Sequence, residues 1–550
     1  MCYNSGMKIP SECAVCLVFA FLFQSIVSAE DLSRHHPAKD HHLVNWIQSQ
    51  KSRVTGFPLS FGMADNQRED VLQRMGNSDS VTGIIERIIV EEGTSVYDTA
   101  VWQIALAALG GEENIRAASV PIETYWRGSL RHLHNIRAGR GGGQTFIYDR
   151  DQPDAISSDL TDLGRRGFVF RIINAHGKYL AADPLDGKHR FSGFPNWPDI
   201  HWEDWKPIAG ENAWVVIAAM QIYHHKYFDY ETGQYRHAAE PVELALAKEI
   251  ARAAIHLQAN NGAVRMAPIG TYFFSLDEIS GGTAREVAAE LDEKAMASKE
   301  SYERLVREWG EERTILQSEH TTWYYDEIST ENNLSWFTAF KLLYEVTEDP
   351  EYRLAMLRIE RYLKSVWNAD EHYFYQGAHF TDGFWQPNSE HFATDVQTWA
   401  ICKLGPERLD EWFGEGAAFR IWQTTKEFAG VFDDGRRLQG VGYTREKNRL
   451  SVEWTVGAIY AMDELAKYYE DSHPEWSRSA LQEAKLMRRG IETYRQQVSE
   501  TRSAYSYSSR RGWIPFGWFS HDKEVLSLVS SCWVLLHDKG FNPFRLMRNK

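Results

Sequence analysis

The sequence predicts an all-α protein in which helical hairpins form a double-layered ring, with short strand and loop insertions. Strongly apolar helices alternate with amphipathic helices along the chain, and several apolar helices begin with a carboxylate beside an aromatic residue. A hairpin of this kind buries both members only if the apolar helix lies inside and the amphipathic helix outside. The inner helices are then parallel, so we expect the acids at their amino ends to share one face of the ring.

The most informative helix start is at Ser329, where a hydroxyl cap is followed by Glu331 in the first turn and by apolar residues to Leu343. The same order of residue types recurs elsewhere. The acids that open the other apolar helices are Asp98, Glu211, Asp395, Glu453 and Asp522. The positive ends of the helix dipoles would help to hold these carboxylates ionised.

Composition limits the class of function. The chain has 550 residues, and one helical architecture of roughly 400 residues fits its pattern better than two or three average domains. Aromatic residues make up 13% of the chain, with 20 tryptophans, and amphipathic rings are common where proteins bind sugars. The formal charge of −16 and the absence of a concentrated basic run argue against nucleic acid or an anionic membrane as a partner.

The amino terminus has the pattern of a signal peptide. Lys8 precedes an apolar run at 13–26, and small residues at 27–29 form a cleavage signature, so residues 1–29 are predicted to be removed. The run is shorter than the roughly 20 residues of a membrane span, so we expect a secreted or periplasmic protein without stable membrane insertion. Only Cys402 and Cys532 then remain, and two buried thiols are favoured over a single disulfide.

In chain order, residues 30–79 are predicted to be an extended or loosely structured lead segment. A helix at 80–92 follows, and then the Asp98 helix, which ends near Gly110, pairs with a helix at about 115–135. The helical period fails in an insertion at about 139–210. This insertion contains a glycine-rich loop that lacks the ending of a phosphate-binding loop, and a strand at 168–173. It also contains an aromatic loop that we expect to line one side of a cleft.

The alternation resumes with helices at 212–227 and 241–259. A second insertion at about 262–320 carries a charged helix at 283–312. The remaining predicted pairs are 331–347 with 351–367, the Asp395 helix with 408–427 and the Glu453 helix with 474–497, and the last helix is 524–536.

The repeated hairpins, the acid-and-aromatic helix starts, and residues 329–334 followed by 347–352 resemble the six-hairpin (α/α)6-toroid glycosidases over about residues 80–545. This resemblance implies an (α/α)6-toroid catalytic domain at 80–545. It also implies cleavage of glycosidic bonds, mostly by inversion, with paired acidic residues in a central cleft. The same toroid occurs in polysaccharide lyases and sugar 2-epimerases, so the chemistry does not follow from the fold.

Glycoside hydrolysis by inversion needs one protonated carboxyl group and one carboxylate that activates water, roughly 6.5–9.5 Å apart. We predict Glu331 as the general acid because its aromatic neighbours would raise its pKa, and Glu453 as the base. Asp395 and Asp98 are the reserve candidates. The alternative for each acid is a residue that only stabilises a helix dipole.

Polar and aromatic residues near the helix starts are predicted to bind the sugar. These residues are Glu211, Asn212, Trp214, Tyr325, Asn332, Trp336, Trp399, Trp454, Trp513 and Trp518. Core packing is the alternative for the tryptophans inside helices. Sugar stacking is favoured for Trp513 and Trp518, which lie in a loop ahead of the last helix.

Two other functions are open at this stage. A lyase acting on a uronic-acid glycan would need a Tyr or His base and cations, and one cluster suggests them: Tyr125, Arg127, Arg131, His132 and His134. A toroid that binds glycans without catalysis is the third possibility. The acids at the predicted mouth outnumber the cations, which favours hydrolysis.

No nucleotide fingerprint, nucleophilic serine elbow or zinc motif is present in the sequence, so we predict no cofactor and no catalytic metal. A structural calcium ion held by Asp433 and Asp434 is left open.

Overall fold

The computed structural model describes residues 37–64, 66–75, 87, 89–128, 168–169, 171–176, 202–204, 208–267, 326–516 and 518–547. The predicted signal peptide, the charged helix at 283–312 and most of both insertions lie outside the described residues.

Helices dominate the described part of the chain. In order they are α1 (Pro37–Ser49), α2 (Arg68–Arg74), α3 (Val96–Leu109), α4 (Glu112–Gly128), α5 (Ala209–Tyr227), α6 (Val242–His256), α7 (Thr330–Thr347), α8 (Pro350–Ser365), α9 (Thr394–Leu404), α10 (Pro406–Phe413), α11 (Ala417–Ala429), α12 (Val452–Tyr468), α13 (Pro474–Glu492) and α14 (Leu528–Asp538). None of these described helices is long and apolar enough to cross a membrane.

Within the described residues, six of these helices form a closed inner ring. Helices α3, α5, α7, α9, α12 and α14 each pack against the next, and α14 packs against α3 to close the ring. These helices bury most of their residues, on all sides, whereas an outer helix such as α8 buries only the stripe formed by Tyr352, Ala355, Ile359, Tyr362 and Leu363. The predicted ring of hairpins, with apolar helices inside and amphipathic helices outside, is therefore confirmed.

The amino-terminal segment differs from its prediction. Helix α1 packs against α14 and against the strand at Arg502–Tyr505, so it is the outer partner of the last inner helix. Leu43, Trp46 and Ile47 are buried in the main core. The prediction of an extended or loosely structured lead is wrong for residues 37–49, because the histidines on the exposed side obscured this i, i+3, i+4 apolar stripe.

Two predicted helix boundaries are also corrected. The helix predicted at 408–427 is split into α10 and α11, because Gly414 and Gly416 have φ angles of 92° and 78° that interrupt the helical backbone. The last helix starts at Leu528 instead of 524, with Ser527 as its cap. Residues 526–527 pair as a strand with Phe61–Gly62, so Asp522 precedes the helix and α14 has no acid in its first turn.

Short antiparallel strands hold the loops around the ring. In the described residues they are β1 (Phe61–Gly62), β2 (Gly93–Ser95), β3 (Ile172–Asn174), β4 (Trp202–Asp204), β5 (Phe228–Asp229), β6 (Gln234–Tyr235), β7 (Glu327–Ser329), β8 (Trp367–Asn368), β9 (Tyr373–Phe374), β10 (Gly377–Thr381), β11 (Phe384–Asn388), β12 (Gly430–Phe432), β13 (Leu438–Val441), β14 (Arg495–Ser499), β15 (Arg502–Tyr505), β16 (Gly512–Ile514), β17 (Trp518–Ser520) and β18 (Leu526–Ser527).

Several of these strands lead directly into inner helices. Strand β2 pairs with β3 and runs into α3, and β7 pairs with β10 and runs into α7. The strand predicted at 168–173 is observed only at its end, as β3, and residues 168–169 are outside any strand. The strand pairs therefore fix the position of the first turn of α3 and α7.

Candidate active site

Serine caps position the first-turn acids. The Ser95 hydroxyl accepts a hydrogen bond of 2.9 Å from the backbone N–H of Asp98, at the start of α3. Ser329 accepts one of 3.2 Å from the N–H of Asn332, and Ser451 caps α12 in the same way. Each cap satisfies a free N–H group of the first helical turn. The acid that follows each cap is therefore held at the amino end of its helix.

Four of these acids lie close together. The negative charges of Asp98, Asp395 and Glu331 all raise the pKa of Glu453, and the charge of Glu331 raises the pKa of Asp395. Carboxylates influence each other in this way only over short distances. The structure thus brings together the four predicted catalytic residues from α3, α7, α9 and α12. Their catalytic roles stay predictions.

Glu453 and Asp395 are held as neutral carboxyl groups. The pKa of each is raised to about 8. Burial is the main cause, and the charges of neighbouring carboxylates contribute to the same increase. Glu453 is 6% exposed, and the Tyr97 hydroxyl donates a hydrogen bond of 2.5 Å to its Oε1. Among the residues whose side chains are described, no Lys, Arg or His forms an ion pair with either acid. Both groups are therefore mostly protonated at pH 7.

The pKa of Asp98 is also raised above that of a free aspartate, but by less than the pKa of Glu453 is raised. Burial raises its pKa to about 6, and hydrogen bonds with Ser60 and Ser95 oppose that increase. Its side chain lies beside Glu453 and is almost completely enclosed. At neutral pH most Asp98 carboxyls are ionised.

Glu331 has different surroundings from the other three acids. Its Oε1 accepts a hydrogen bond of 2.8 Å from the Ser335 hydroxyl, and the Lys403 Nζ lies 3.4 Å from the same oxygen. The Glu331 side chain is 22% exposed, whereas that of Lys403 is 0% exposed. A hydroxyl donor and a buried cation therefore stabilise the ionised form of Glu331.

Aromatic side chains form the floor beneath the acids. The Lys403 ammonium lies over the rings of Trp214, Trp399 and Phe544, at 5.0, 5.2 and 5.3 Å from their centroids. Trp214 and Trp399 are both 3% exposed and also pack against Trp533. These two predicted sugar-binding residues therefore surround a cation and fill the centre of the ring.

Two more predicted sugar-binding residues are part of the core. The Asn212 amide accepts from the N–H of Val169 at 2.8 Å and donates to the carbonyl groups of Val169 and Ile208. Trp336 is fully buried and stacks on Phe168. Both side chains hold the loop before α5 and the inner helices together, and Asn212 has no amide group left for a sugar hydroxyl.

Glu211 and Asn332 lie at the starts of neighbouring inner helices. Glu211 is partly exposed and forms an ion pair with Arg171, with Nε and Oε1 2.7 Å apart. Asn332 packs against Gly210, where an added Cβ atom would lie 2.1 Å from its Oδ1. A side chain at position 210 would therefore displace the Asn332 amide from its place between α5 and α7. Tyr325 lies outside the described residues.

The remaining predicted aromatic residues are Trp454, which follows Glu453, and two tryptophans of the β16–β17 hairpin. Trp454 is buried and stacks on Phe516, with 6.3 Å between the ring centroids. Trp513 and Trp518 are partly exposed on the β16–β17 hairpin, and the Trp518 indole N–H donates to the Tyr507 hydroxyl at 2.8 Å. This hairpin presents aromatic surface next to the acids.

Sequence reasoning missed Tyr97 and Lys403. Lys403 carried a signal that could have been used, because it is a lone cation inside the apolar run at 400–404. Tyr97 carried no such signal. Tyr97 is on α3 and Glu453 is on α12, with α14 between these helices in the ring, so only the closed fold brings the two residues together.

Tyr125, the one member of the predicted lyase cluster whose side chain is described, is not at the acids. Tyr125 is fully buried on the outer helix α4, where its ring packs against Phe57. The other four members lie outside the residues whose side chains are described. This position of Tyr125 makes it unsuited to abstract a proton from a substrate at the mouth of the ring.

The metal and thiol predictions concern other parts of the molecule. In the described part of the chain, no group of three or more His, Cys, Asp or Glu side chains is arranged to hold a metal ion. Asp433, considered for calcium, forms an ion pair of 2.9 Å with Arg437. Cys402 and Cys532 are free and buried, as predicted.

No family model matches the sequence, and no curated protein matches it at a significant level. A sugar epimerase from a ruminal bacterium is similar in structure, with a TM-score of 0.50 and 12% identity, over 92% of this chain and 97% of that chain. A cellobiose 2-epimerase from Bacillus thermoamylovorans has a TM-score of 0.48 and 11% identity, over 90% of this chain and 96% of that chain. A GH76 α-mannanase from Bacteroides thetaiotaomicron has a TM-score of 0.42 and 8% identity, over 86% of this chain and 95% of that chain.

Identity this low establishes the fold alone. The chain has an (α/α)6-toroid fold, as the sequence predicted.

Proposed function

We propose that this protein is a carbohydrate-active enzyme that hydrolyses glycosidic bonds of a poly- or oligosaccharide. The observation that carries the proposal is the difference in protonation among adjacent carboxyl groups. Asp395 and Glu453 have pKa values of about 8, whereas Glu331 lies beside the Lys403 ammonium. Hydrolysis of this kind uses one carboxylic acid and one carboxylate. The structural similarity to a sugar epimerase supports a sugar as the substrate.

We assign Glu331 as the general base and Asp395 as the general acid. Asp395 is only partly buried, whereas Glu453 is 6% exposed and is engaged by Tyr97. This assignment differs from the sequence-based one, in which Glu331 was the acid and Glu453 the base. The reason is that the described groups in contact with the Glu331 carboxylate are a hydroxyl and a cation, which favour its ionised form.

The reaction then follows the inverting course. Asp395 donates its proton to the glycosidic oxygen as the bond from that oxygen to the anomeric carbon breaks. Glu331 accepts a proton from water as the water oxygen attacks the anomeric carbon from the opposite face. Each product carries one new hydroxyl group, and the two carboxyl groups return to their starting states by proton exchange with solvent.

Aromatic rings beside the acids would bind the sugar. Phe516 and Trp518 are partly exposed and lie next to Trp454, which follows Glu453 in α12. Rings of this kind stack on the apolar faces of pyranoses while hydroxyl groups bind polar side chains. We therefore propose the β16–β17 hairpin as one wall of the substrate cleft.

A glycan panel tests the proposal. The protein without residues 1–29 is incubated with neutral and uronic-acid glycans, and new reducing ends and ultraviolet absorbance of unsaturated products are followed together. We expect reducing ends without absorbance. Glu331→Gln and Asp395→Asn should each lower kcat by about 100- to 10,000-fold, the usual contribution of one acid or base. Glu345→Gln, at the other end of α7, is the matched control and should leave kcat unchanged.

Other outcomes would assign another function. Absorbance from unsaturated products would identify a lyase, and binding without any product would identify a glycan-binding protein. A change in sugar configuration at constant chain length would identify an epimerase. Full activity of Glu331→Gln would overturn the assignment of the base while leaving hydrolysis intact.

We also propose that the protein is exported after removal of residues 1–29, as the apolar run and the small residues at 27–29 indicate. Expression of the full chain, cell fractionation and amino-terminal sequencing test this. The expected mature protein begins at Glu30 and lies outside the cytoplasm. An uncleaved chain in the cytoplasm would contradict the proposal.

A further inference from the structure

Lys403 is a buried lysine in the inner ring, on the last turn of α9. Its side chain is 0% exposed and lies among the rings of Trp214, Trp399 and Phe544. Removing an ammonium group from water costs a large free energy unless polar partners compensate for it. The described partners are the Ser335 hydroxyl, at 2.8 Å, and Glu331, at 3.4 Å.

These three side chains form a directed chain of hydrogen bonds. Lysine can only donate, so Ser335 Oγ accepts from Lys403 and its own proton is directed to Glu331 Oε1, 2.8 Å away. Ser335 lies one helical turn after Glu331, on the same face of α7. Lys403 therefore fixes the orientation of the hydroxyl group, and the hydroxyl group fixes one oxygen of the carboxylate.

Most other groups that face this chain are acids or neutral side chains. Asp395 and Cys402 are on the same helix as Lys403, Glu453 faces from α12 and Tyr97 from α3. The exception is the cation Arg545, whose charge acts on Cys402. Within the part of the chain that the structure describes, Lys403 is the cation in ion-pair contact with the acids of the site, and it contacts Glu331 alone among them.

We infer that Lys403 is a positioning residue that, through Ser335 and its own charge, holds Glu331 as an ionised carboxylate beside the buried acids Asp395 and Glu453. This inference rests on the proposed function, because it explains how one of several similar acids becomes the base. Lys403 itself is enclosed by aromatic rings and has no access to a substrate.

The pH dependence of unfolding tests the inference without a substrate. The melting temperatures of the wild-type protein, Lys403→Met, Glu331→Gln and the double variant are measured at several pH values from about 5 to 9. Without the ammonium group, the charge of Glu331 has no cation beside it and faces other buried carboxyl groups, so the folded protein should lose stability as the pH rises and these groups ionise. We expect the deficit of Lys403→Met to grow with pH, and Glu331→Gln to remove most of that growth.

The pH profile of kcat/KM on a glycan cleaved by the wild-type protein is the second readout. Lys403→Met should shift the acidic limb to higher pH by about one unit. At pH values below that limb, this shift is a loss of kcat/KM of about tenfold. A purely structural role would lower activity evenly and leave the limb in place. Lys341→Met is the control for loss of a lysine. Lys341 is on α7, ten residues after Glu331 and outside the site, so this substitution should not move the acidic limb.

If Lys403→Met does not fold, a smaller substitution tests the same chain of hydrogen bonds. Ser335→Ala retains the cation but removes the bridging hydroxyl group, so it should shift the acidic limb by a smaller amount. If the wild-type protein cleaves no glycan, the proposed function fails and the unfolding experiment still decides the role of Lys403. If the protein is active, but Lys403→Met changes neither the limb nor the pH dependence of unfolding, the inference is wrong and the function stands.

Discussion

At the scale of single residues, surroundings separate Glu331 from Glu453, although both are first-turn glutamates of inner helices. Glu453 is buried, faces other acids and accepts a hydrogen bond from Tyr97, so its pKa is raised to about 8. Glu331 faces a hydroxyl group and an ammonium group. Two residues in equivalent sequence positions are therefore suited to opposite proton-transfer roles.

The raised pKa values predict that the protein is less stable at alkaline pH. Asp395 and Glu453 have ordinary values of 3.8 and 4.5 but about 8 in the folded chain. Their stabilisation is therefore fully present below about pH 4 and is lost as the pH rises through about 8. We expect the melting temperature to fall by several degrees between about pH 5 and 8 and to level off above that range, as measured by calorimetry.

Substitution of the two acids should reduce that fall. Asp395→Asn and Glu453→Gln keep the shape of the side chain but cannot ionise, so the melting temperature of the combined variant should fall less over the same pH range, and the raised pKa of Asp98 accounts for part of the remaining fall. Glu345→Gln, away from the site, is the control and should keep the wild-type slope. An unchanged slope in the combined variant would mean that other groups cause the alkaline loss.

At the scale of elements, the contrast between inner and outer helices follows from their apolar patterns. Inner helices such as α5 are apolar on all sides, and outer helices such as α13 are apolar along one stripe. An outer helix can also approach the backbone of a strand very closely. At Gly490 of α13, an added Cβ atom would lie 2.0 Å from the carbonyl oxygen of Gln439 in β13.

This contact predicts that Gly490→Ala is destabilising. The new methyl group meets a backbone carbonyl that cannot rotate away, so α13 must shift outward. The expected cost is about 1–3 kcal/mol of unfolding free energy, typical of overpacking. Urea unfolding followed by circular dichroism measures it. Arg489→Ala, the exposed neighbour, should change stability by less than about 0.5 kcal/mol, and an equal effect of both would exclude this contact as the cause.

Element boundaries were predicted less well than element order. The sequence indicated the Asp395 and Glu453 helices and their outer partners. It did not show that 408–427 is interrupted at Gly414 and Gly416, or that the residues before Leu528 pair as a strand with β1. A strand pair between residues 61–62 and 526–527 joins the two ends of the chain, which local periodicity does not report.

At the scale of the whole molecule, the ring is completed by its first and last helices. Helix α14 packs against α3 on the inside, and α1 covers α14 on the outside. The Trp102 indole N–H also donates to the carbonyl of Ile47, at 3.1 Å, which joins α3 to α1. The amino-terminal helix is therefore part of the toroid.

Ring closure predicts a large effect of a small change in α1. Ile47 is fully buried, so Ile47→Ala removes three buried carbon atoms and should lower the free energy of unfolding by about 2–5 kcal/mol. His41→Ala, on the exposed side of the same helix, should change it by less than about 0.5 kcal/mol. Urea unfolding of both variants measures the difference, and a negligible effect of Ile47→Ala would mean that α1 is dispensable for the ring.

The sequence by itself determined the alternation of inner and outer helices and the acids in their first turns, because hydrophobic period and helix caps are local properties of the chain. Only the tertiary structure decided which acids are neutral and which one is paired, and which tryptophans fill the core. It also decided where α1 packs. Tyr97 and Glu453 are 356 residues apart along the chain, and Lys403 is 72 residues from Glu331. Protonation depends on such contacts and on burial, which exist only once the ring has closed.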